Sequence, residues 1–106
     1  MELNIGLIGV GTIGSGVVKI LQKNSKLIEN RTGVKLNLKK VCDLNYDNAK
    51  KLGIKKENFT ENFDELINDK GIDIIVELIG GYEPARTFVL KALKNKKHVV
   101  TANKAL

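Results

Sequence analysis

The most informative shortages in this 106-residue chain are those of cysteine, proline and long apolar runs. Cys42 is the only cysteine, which excludes an intrachain disulfide and a cysteine-rich metal site. A single proline and the lack of low-complexity tracts argue against long disorder. The longest apolar run, residues 72–81, is interrupted by Asp73 and Glu77 and is far shorter than the ~20 residues that span a bilayer. The N-terminus lacks the basic region of a signal peptide, so we expect a cytoplasmic protein without a membrane segment.

The charge is unbalanced, because 18 lysine and arginine residues stand against 12 acidic ones and give a formal net charge of +6. A basic surface can bind nucleic acid, but these lysines are scattered among acidic residues, and there are only two tyrosines and three phenylalanines. We therefore interpret the lysines as solvated faces of helices and loops, and we expect no nucleic-acid partner. The same positive field would favour an anionic small molecule.

Short apolar segments alternate with amphipathic ones along the chain. Five segments have the pattern of buried strands, namely 3–9, 34–43, 58–60, 72–79 and 97–102. Four segments have helical spacing of apolar residues, namely 12–29, 46–53, 61–69 and the stretch that begins at Pro84. Gly33 is expected to end the first helix and Thr60 to cap the third. The alternation predicts one α/β domain, residues 1–106, in which helices cover both faces of a parallel sheet of about five strands.

The segment GVGTIG has the spacing of a phosphate-binding loop and consists of Gly9, Val10, Gly11, Thr12, Ile13 and Gly14. Such spacing is common, but here it directly follows the first predicted strand and opens the first predicted helix. In that context Gly9 permits a tight turn, Gly11 lets the backbone approach a pyrophosphate, and Gly14 lets the helix pack against the strand. The helix N-terminus offers N–H groups and partial positive charge to the phosphates. The sequence therefore predicts a Rossmann-type dinucleotide-binding domain.

Asp43 stands at the end of the second predicted strand, where an acid accepts hydrogen bonds from the ribose hydroxyls of adenosine. It would repel a 2′-phosphate, so it favours NAD over NADP as the cofactor. The distance from Gly14 exceeds the usual spacing of about 20 residues, and Lys39 and Lys40 lie nearby. Two alternatives therefore remain open: Asp43 as a cap of the following turn, and NADP as the cofactor.

Several other residues are candidates for a functional or a structural role. Gly80 ends the fourth predicted strand at the crevice edge of the sheet, where it would leave room for the cofactor or simply form a turn. Glu77 lies inside an apolar strand, and we expect it to support neighbouring loops or a basic residue such as Arg86. Cys42 is interpreted as a small buried hydrophobe and His98 as a structural residue at the opposite edge. The sequence shows no metal-binding spacing.

Lys104 follows the last predicted strand at the crevice edge. An ammonium group there would reach the nicotinamide end of a dinucleotide or a substrate oxygen. On spacing alone, a solvent-exposed lysine is the better interpretation.

Three segments together resemble the N-terminal dinucleotide-binding region of homoserine dehydrogenases: IGLIGVGTIGSGVVKIL, IVELIGGYEPA and ALKNKKHVVTANKAL. They keep the order and spacing of that family over essentially the whole chain, and the last two are more specific than the glycine pattern. The resemblance implies the NAD(P)-dependent interconversion of aspartate-4-semialdehyde and homoserine, which serves the synthesis of threonine, methionine and isoleucine.

By the same resemblance, residues 9–14 hold the cofactor phosphates, and Gly80, Thr101, Asn103 and Lys104 line the nicotinamide side. Lys104 matches a lysine implicated in positioning substrate and in proton transfer, which suits an ammonium beside a carbonyl oxygen. Polypeptides of the family continue into a catalytic and dimerising domain. We therefore expect a truncated cofactor-binding domain with little or no turnover, whose full-length enzyme is a homodimer.

Three other functions remain as alternatives for this dinucleotide-binding domain. A related reductase, such as aspartate dehydrogenase or dihydrodipicolinate reductase, would carry other signatures in place of the second and third segments. A non-enzymatic NAD(H)-sensing module would need a DNA-binding or partner segment, which 106 residues do not supply. Nucleic-acid binding through the basic surface would show as a salt-dependent gel shift.

Overall fold

Strands alternate with helices in the computed structural model of the chain, which describes residues 1–79 and 83–101. The strands within these ranges are β1 Glu2–Ile8, β2 Lys35–Cys42, β3 Phe59–Thr60, β4 Ile74–Glu77 and β5 His98–Thr101. The α-helices are α1 Thr12–Thr32, α2 Asp47–Lys51, α3 Asp64–Ile67 and α4 Ala85–Lys94, and a 3₁₀ turn, Lys56–Asn58, precedes β3. In this part of the chain, no helix is both long enough and apolar enough to cross a lipid bilayer.

The strands form one parallel sheet in the order β3-β2-β1-β4-β5. The chain moves outward from β1 to β3, then returns to the other side of β1 and moves outward again. The direction of winding therefore reverses between β1 and β4, which is where open α/β sheets bind their ligands. The five-stranded parallel sheet confirms the predicted Rossmann-type architecture.

The two faces of the sheet carry separate apolar cores, because successive side chains of a strand point to opposite faces. Leu7 packs with Val18 of α1 and Ala49 of α2. Ile8, the next residue of β1, belongs to the other cluster with residues of α3, β4 and α4, among them Leu66, Ile67, Ile75 and Ala92. Helices therefore cover both faces, as predicted.

The second strand contains a β-bulge, at a place where its apolar residues stop alternating: they lie at positions 34, 36 and 38 and then at 41. Ile5 pairs with Leu38, but Gly6 pairs with Lys40, so Lys39 has no partner position on β1. The apolar pattern of β2 changes phase at this same place. The Lys39 ammonium lies 2.9 Å from the Asp69 carboxylate, and this hydrogen bond holds the pKa of Asp69 below its usual range.

The third helix is much shorter than predicted. It spans only Asp64–Ile67 instead of 61–69, and Phe63, not Thr60, is its N-cap residue. The Thr60 hydroxyl accepts the Asn62 N–H at 3.0 Å, and the Asn62 side-chain oxygen accepts the Asp64 N–H at 3.0 Å. The expectation that Thr60 caps the helix was wrong, because these two polar side chains form successive turns that compete with helical hydrogen bonding.

The remaining boundaries differ by a few residues. The first helix continues to Thr32 rather than 29, and Gly33 ends it as predicted, with a φ of 73° and its N–H bonded to the Glu29 carbonyl. The buried strand predicted over 72–79 is a strand only at Ile74–Glu77. The last apolar residues of the predicted strand, Leu78 and Ile79, lie beyond the end of β4 and line the crevice at the carboxyl ends of the strands.

The buried face of β4 yields a first prediction. Ile75 has no exposed surface, so Ile75→Ala should leave a cavity and lower the free energy of unfolding by about 2–5 kcal/mol. Ile20, which is 55% exposed on α1, provides the matched control, and Ile20→Ala should change it by roughly 0.5 kcal/mol or less. Urea denaturation followed by circular dichroism measures both, and equal losses would contradict the assignment of Ile75 to the core.

Candidate functional site

The carboxyl ends of the strands surround a cavity of about 320 Å³. The cavity is lined by residues that follow β1, β2, β3 and β4 and by the start of α4: Ile8, Gly9, Gly11, Cys42, Asp43, Leu44, Glu61, Phe63, Leu78, Ile79, Pro84 and Phe88. Its volume lies at the lower end of the range for small-molecule sites, about 300–1,000 Å³. The predicted phosphate loop and Asp43 therefore border one cavity at the point where the winding of the sheet reverses.

The turn from β1 into α1 is tight. Gly9 has a φ of 99°, which residues with a side chain rarely adopt. A methyl carbon at Gly14 would lie 1.9 Å from the Gly9 carbonyl oxygen. Only glycine at position 14 lets the first turn of α1 lie this close to the loop.

The start of α1 is open toward the crevice. Gly11 is the N-cap residue, and within the described part of the chain no side chain caps this helix end and its first turn holds no acid. A methyl carbon at Gly11 would meet nothing within 4 Å. The first N–H groups of a helix lack partners within it, and they carry partial positive charge. The open space at Gly11 and the uncapped helix start thus fit the pyrophosphate of a dinucleotide.

The other residues of the loop differ in how far they are buried. Val10 is fully buried in the cluster of Leu7 and Val18, so its side chain anchors the loop to the core. Thr12 and Ile13 are exposed in the first turn of α1. The loop therefore has one side chain fixed in the core and two that are exposed at the start of the helix.

Asp43 is tied to this loop. Its Oδ2 accepts the Val10 N–H at 2.7 Å, and its Oδ1 accepts the Leu44 N–H at 2.7 Å. The second bond is the local turn that the sequence allowed as an alternative, whereas the bond to Val10 joins residues 33 positions apart and left no signal in the sequence. A carboxylate has about four acceptor positions, so two remain for ligand hydroxyls.

The cavity has an apolar wall that sequence reasoning missed. Phe63 and Phe88 are stacked with ring centroids 4.1 Å apart, and Leu44 and Pro84 line the same cavity. The helical spacing of apolar residues does not reveal this role, because the same spacing is found in a helix that faces the core and in one that borders a ligand. Such a surface suits the flat ring of a nucleobase.

Cys42 borders the cavity, but its thiol is a poor nucleophile. It is 5% exposed, and burial, helped by the charges of Asp43, Glu65 and Glu61, raises the pKa of its thiol to about 11. The thiol is protonated at neutral pH, which confirms its interpretation as a buried hydrophobe. Nearby, a hydrogen bond with Thr60 holds the pKa of Glu65 below its usual range.

Glu77 occupies the end of β4 and has no exposed surface. Its Oε2 accepts the Ile79 N–H at 2.7 Å, and its Oε1 accepts the Thr101 hydroxyl at 2.6 Å. The carboxylate therefore supports a neighbouring loop, as expected. Arg86, the other suggested partner, lies 4.0 Å from the Glu83 carboxylate.

The remaining candidates lie at the ends of the described segments or beyond them. Gly80, Asn103 and Lys104 fall outside the described residues. His98 begins β5, at the edge of the sheet opposite the crevice. Across residues 1–79 and 83–101, no three His, Cys, Asp or Glu side chains are grouped to hold a metal ion.

The loop geometry yields a second prediction, with a control in the same helix. Gly14→Ala should lower the free energy of unfolding by about 1–3 kcal/mol or more, because its methyl group meets a backbone oxygen that has no room to move. Gly16 has nothing within 4 Å of its methyl position. Gly16→Ala should therefore raise stability by roughly 0.5–1 kcal/mol through better helix propensity. Thermal unfolding compares the two, and a Gly14→Ala variant as stable as the wild type would refute the close approach.

Comparison with known proteins identifies the family. The family model described as "Homoserine dehydrogenase, NAD binding domain" matches residues 9–106. A homoserine dehydrogenase of Methylobacillus glycogenes is 45% identical over 104 residues, which are 98% of this chain and 25% of that protein. The homoserine dehydrogenase of Bacillus subtilis is 38% identical over 104 residues, 98% of this chain and 24% of its own. The chain thus spans about a quarter of the length of the curated relatives it matches.

Solved structures agree in fold. A crystal structure of S. aureus homoserine dehydrogenase has a TM-score of 0.89 and 43% identity over 100% of this chain and 27% of its own. The homoserine dehydrogenase of Thiobacillus denitrificans has a TM-score of 0.88 and 42% identity over 98% of this chain and 24% of its own. A levoglucosan dehydrogenase in complex with NADH, at 21% identity and a TM-score of 0.76 over 95% of this chain and 27% of its own, shares the fold alone. On these matches and on the geometry of its glycine-rich loop, the chain belongs to the family of homoserine dehydrogenase NAD-binding domains.

Proposed function

We propose that this chain binds NAD(H) at the carboxyl edge of its sheet, as the cofactor-binding part of a homoserine dehydrogenase. That enzyme interconverts aspartate-4-semialdehyde and homoserine. The observation that carries the proposal is the uncapped start of α1 beside the open space at Gly11, in a chain of this family. The family match also decides against the first domain of aspartate dehydrogenase or dihydrodipicolinate reductase.

The described residues suggest how the cofactor is held. The backbone of residues 9–14 and the N-terminus of α1 bind the pyrophosphate. The two free acceptor positions of Asp43 bind the ribose hydroxyls of adenosine, and Leu44, which follows Asp43 and lines the cavity, packs against the adenine ring. When bound, the nicotinamide ring gives or accepts the hydride of the reaction.

The electrostatics of the cavity favour NAD over NADP. Two backbone N–H groups hold Asp43 in place, so its carboxylate does not turn aside without losing both bonds. Glu61 lines the same cavity. A 2′-phosphate would bring further negative charge next to two carboxylates, and like charges repel each other. Lys40, the nearby cation that would favour NADP, lies 3.5 Å from the Glu65 carboxylate.

The nicotinamide side of the proposed site comprises Gly80, Thr101, Asn103 and Lys104. In the full-length enzyme, the Lys104 ammonium stabilises or protonates the carbonyl oxygen of the semialdehyde as hydride arrives. Hydride transfer requires the substrate to be held against the ring, so these 106 residues alone should show little or no turnover. A cytoplasmic location and a homodimeric full-length enzyme are parts of the same proposal.

Calorimetric titration of this chain with NADH and NADPH tests cofactor binding. NADH should bind more tightly. Asp43→Asn should weaken NADH binding by about 10–100-fold, because hydrogen bonds to a charged group are worth ~1.5–3 kcal/mol. It should also reduce the preference over NADPH. Asp47→Asn, the same change at an exposed position that does not line the cavity, should bind as the wild type does. Absence of binding by either cofactor would refute the proposal, and tighter NADPH binding would refute the role of Asp43.

Lys104→Ala in the full-length enzyme tests the chemical role. Removing a positioned proton donor should lower kcat about 100-fold or more, with a smaller change in the affinity for NADH. Lys94→Ala, at the exposed end of α4, serves as the control and should leave kcat unchanged. Steady-state kinetics measure both variants, and unchanged turnover in Lys104→Ala would remove this lysine from the chemistry.

A further inference from the structure

Glu77 is the most deeply buried ionisable residue described on the crevice side of the sheet. It has no exposed surface, although the other three residues of its strand, β4, are apolar. A carboxylate in such a place carries a desolvation cost unless several hydrogen bonds satisfy it. Its two oxygens accept one bond each, at 2.7 Å from Ile79 and at 2.6 Å from Thr101.

These bonds do not serve to pair the strands. The ladder between β4 and β5 already aligns Glu77 with Thr101, and the ladder between β1 and β4 aligns it with Ile8. The carboxylate instead binds one N–H beyond the end of β4 and one hydroxyl at the last position of β5. It thereby fixes Ile79, which lies beyond the regular ladder, and links it to the last paired position of β5.

The segment after β4 lies directly on the phosphate loop. The Leu78 N–H donates to the Ile8 carbonyl at 2.9 Å. A methyl carbon at Gly9 would lie 3.1 Å from the Leu78 carbonyl group and 3.1 Å from the Ile79 nitrogen. The Glu77 carboxylate therefore holds the peptide that forms one side of the loop, and Ile79 in turn lines the cavity.

We infer that Glu77 is a positioning residue for the half of the cofactor that lies beyond the pyrophosphate. One buried carboxylate sets the placement of Ile79 against the phosphate loop and of Thr101 at the end of β5. Asp43 acts on the other side of β1, where the adenosine half binds. This inference rests on the proposed function, because it assumes that NAD(H) occupies the crevice.

Glu77→Met is the decisive variant. It keeps the length of the side chain and removes both acceptors, so the Ile79 N–H and the Thr101 hydroxyl lose the Glu77 carboxylate and the thermal unfolding midpoint should fall. Binding is therefore measured at a temperature at which the variant is folded. The affinity for NADH should fall about tenfold or more. The affinity for 5′-AMP, which occupies only the adenosine half, should stay within about twofold. Glu77→Gln should keep near-normal NADH binding, since its amide accepts from Ile79 and donates to the Thr101 hydroxyl.

Asp73→Asn is the matched control at the opposite edge of the sheet. The Asp73 carboxylate also accepts a backbone N–H, that of Asn4, at 2.8 Å. This variant should lower the unfolding midpoint without changing the affinity for either ligand. Should Glu77→Met fail to fold, Glu77→Leu, which is also apolar and also lacks both acceptors, provides the same readout.

The outcomes separate the inference from the proposed function. Equal NADH affinity in wild type and Glu77→Met overturns the positioning role, and so does an equal loss of NADH and 5′-AMP affinity. A wild-type chain that binds neither ligand overturns the proposed function itself, whatever the variants do. Selective loss of NADH affinity, with restoration by Glu77→Gln, supports the inference.

Discussion

The site depends on one close approach, that of the first turn of α1 to the carbonyl oxygen of Gly9. The 1.9 Å separation that a methyl group at Gly14 would have from this oxygen leaves room for a hydrogen atom and nothing larger. This approach places the positive end of a 21-residue helix at the carboxyl edge of the sheet, beside the end of β1. The proposed binding of a pyrophosphate by backbone groups depends on that placement, because N–H groups at a helix start have no partners within the helix.

Two carboxylates hold the surroundings of this loop from opposite sides. Asp43 binds the Val10 N–H from the β2 side. Glu77 binds the Ile79 N–H from the β4 side, and Ile79 lies against Gly9. Bonds from a backbone N–H to an ionised carboxylate are stronger than neutral ones. Such bonds organise the loop before any ligand arrives, so that less ordering free energy is spent on binding.

Local patterns in the sequence were enough to predict most of the elements, and they failed where polar side chains competed with the backbone. The phase change between Leu38 and Val41 corresponds to a bulge at Lys39. The third helix was overestimated because Thr60 and Asn62 form side-chain turns that hydrophobic spacing does not reveal. The stacked pair of Phe63 and Phe88 was missed as a cavity wall, since an inward-facing aromatic has the same spacing whether it meets a core or a ligand.

The alternation of strands and helices, the glycine-rich turn and the family could be read from the amino-acid sequence, because they depend on residues that are close along the chain. The partners of Asp43 and Glu77 could not, because they depend on the folded chain. The Asp43–Val10 bond spans 33 positions and the Glu77–Thr101 bond spans 24. Contacts of that kind exist only after parallel strands have been placed side by side. A crossover connection brings together residues that are far apart along the chain, and hydrophobic periodicity, which is a local pattern, does not reveal such pairs.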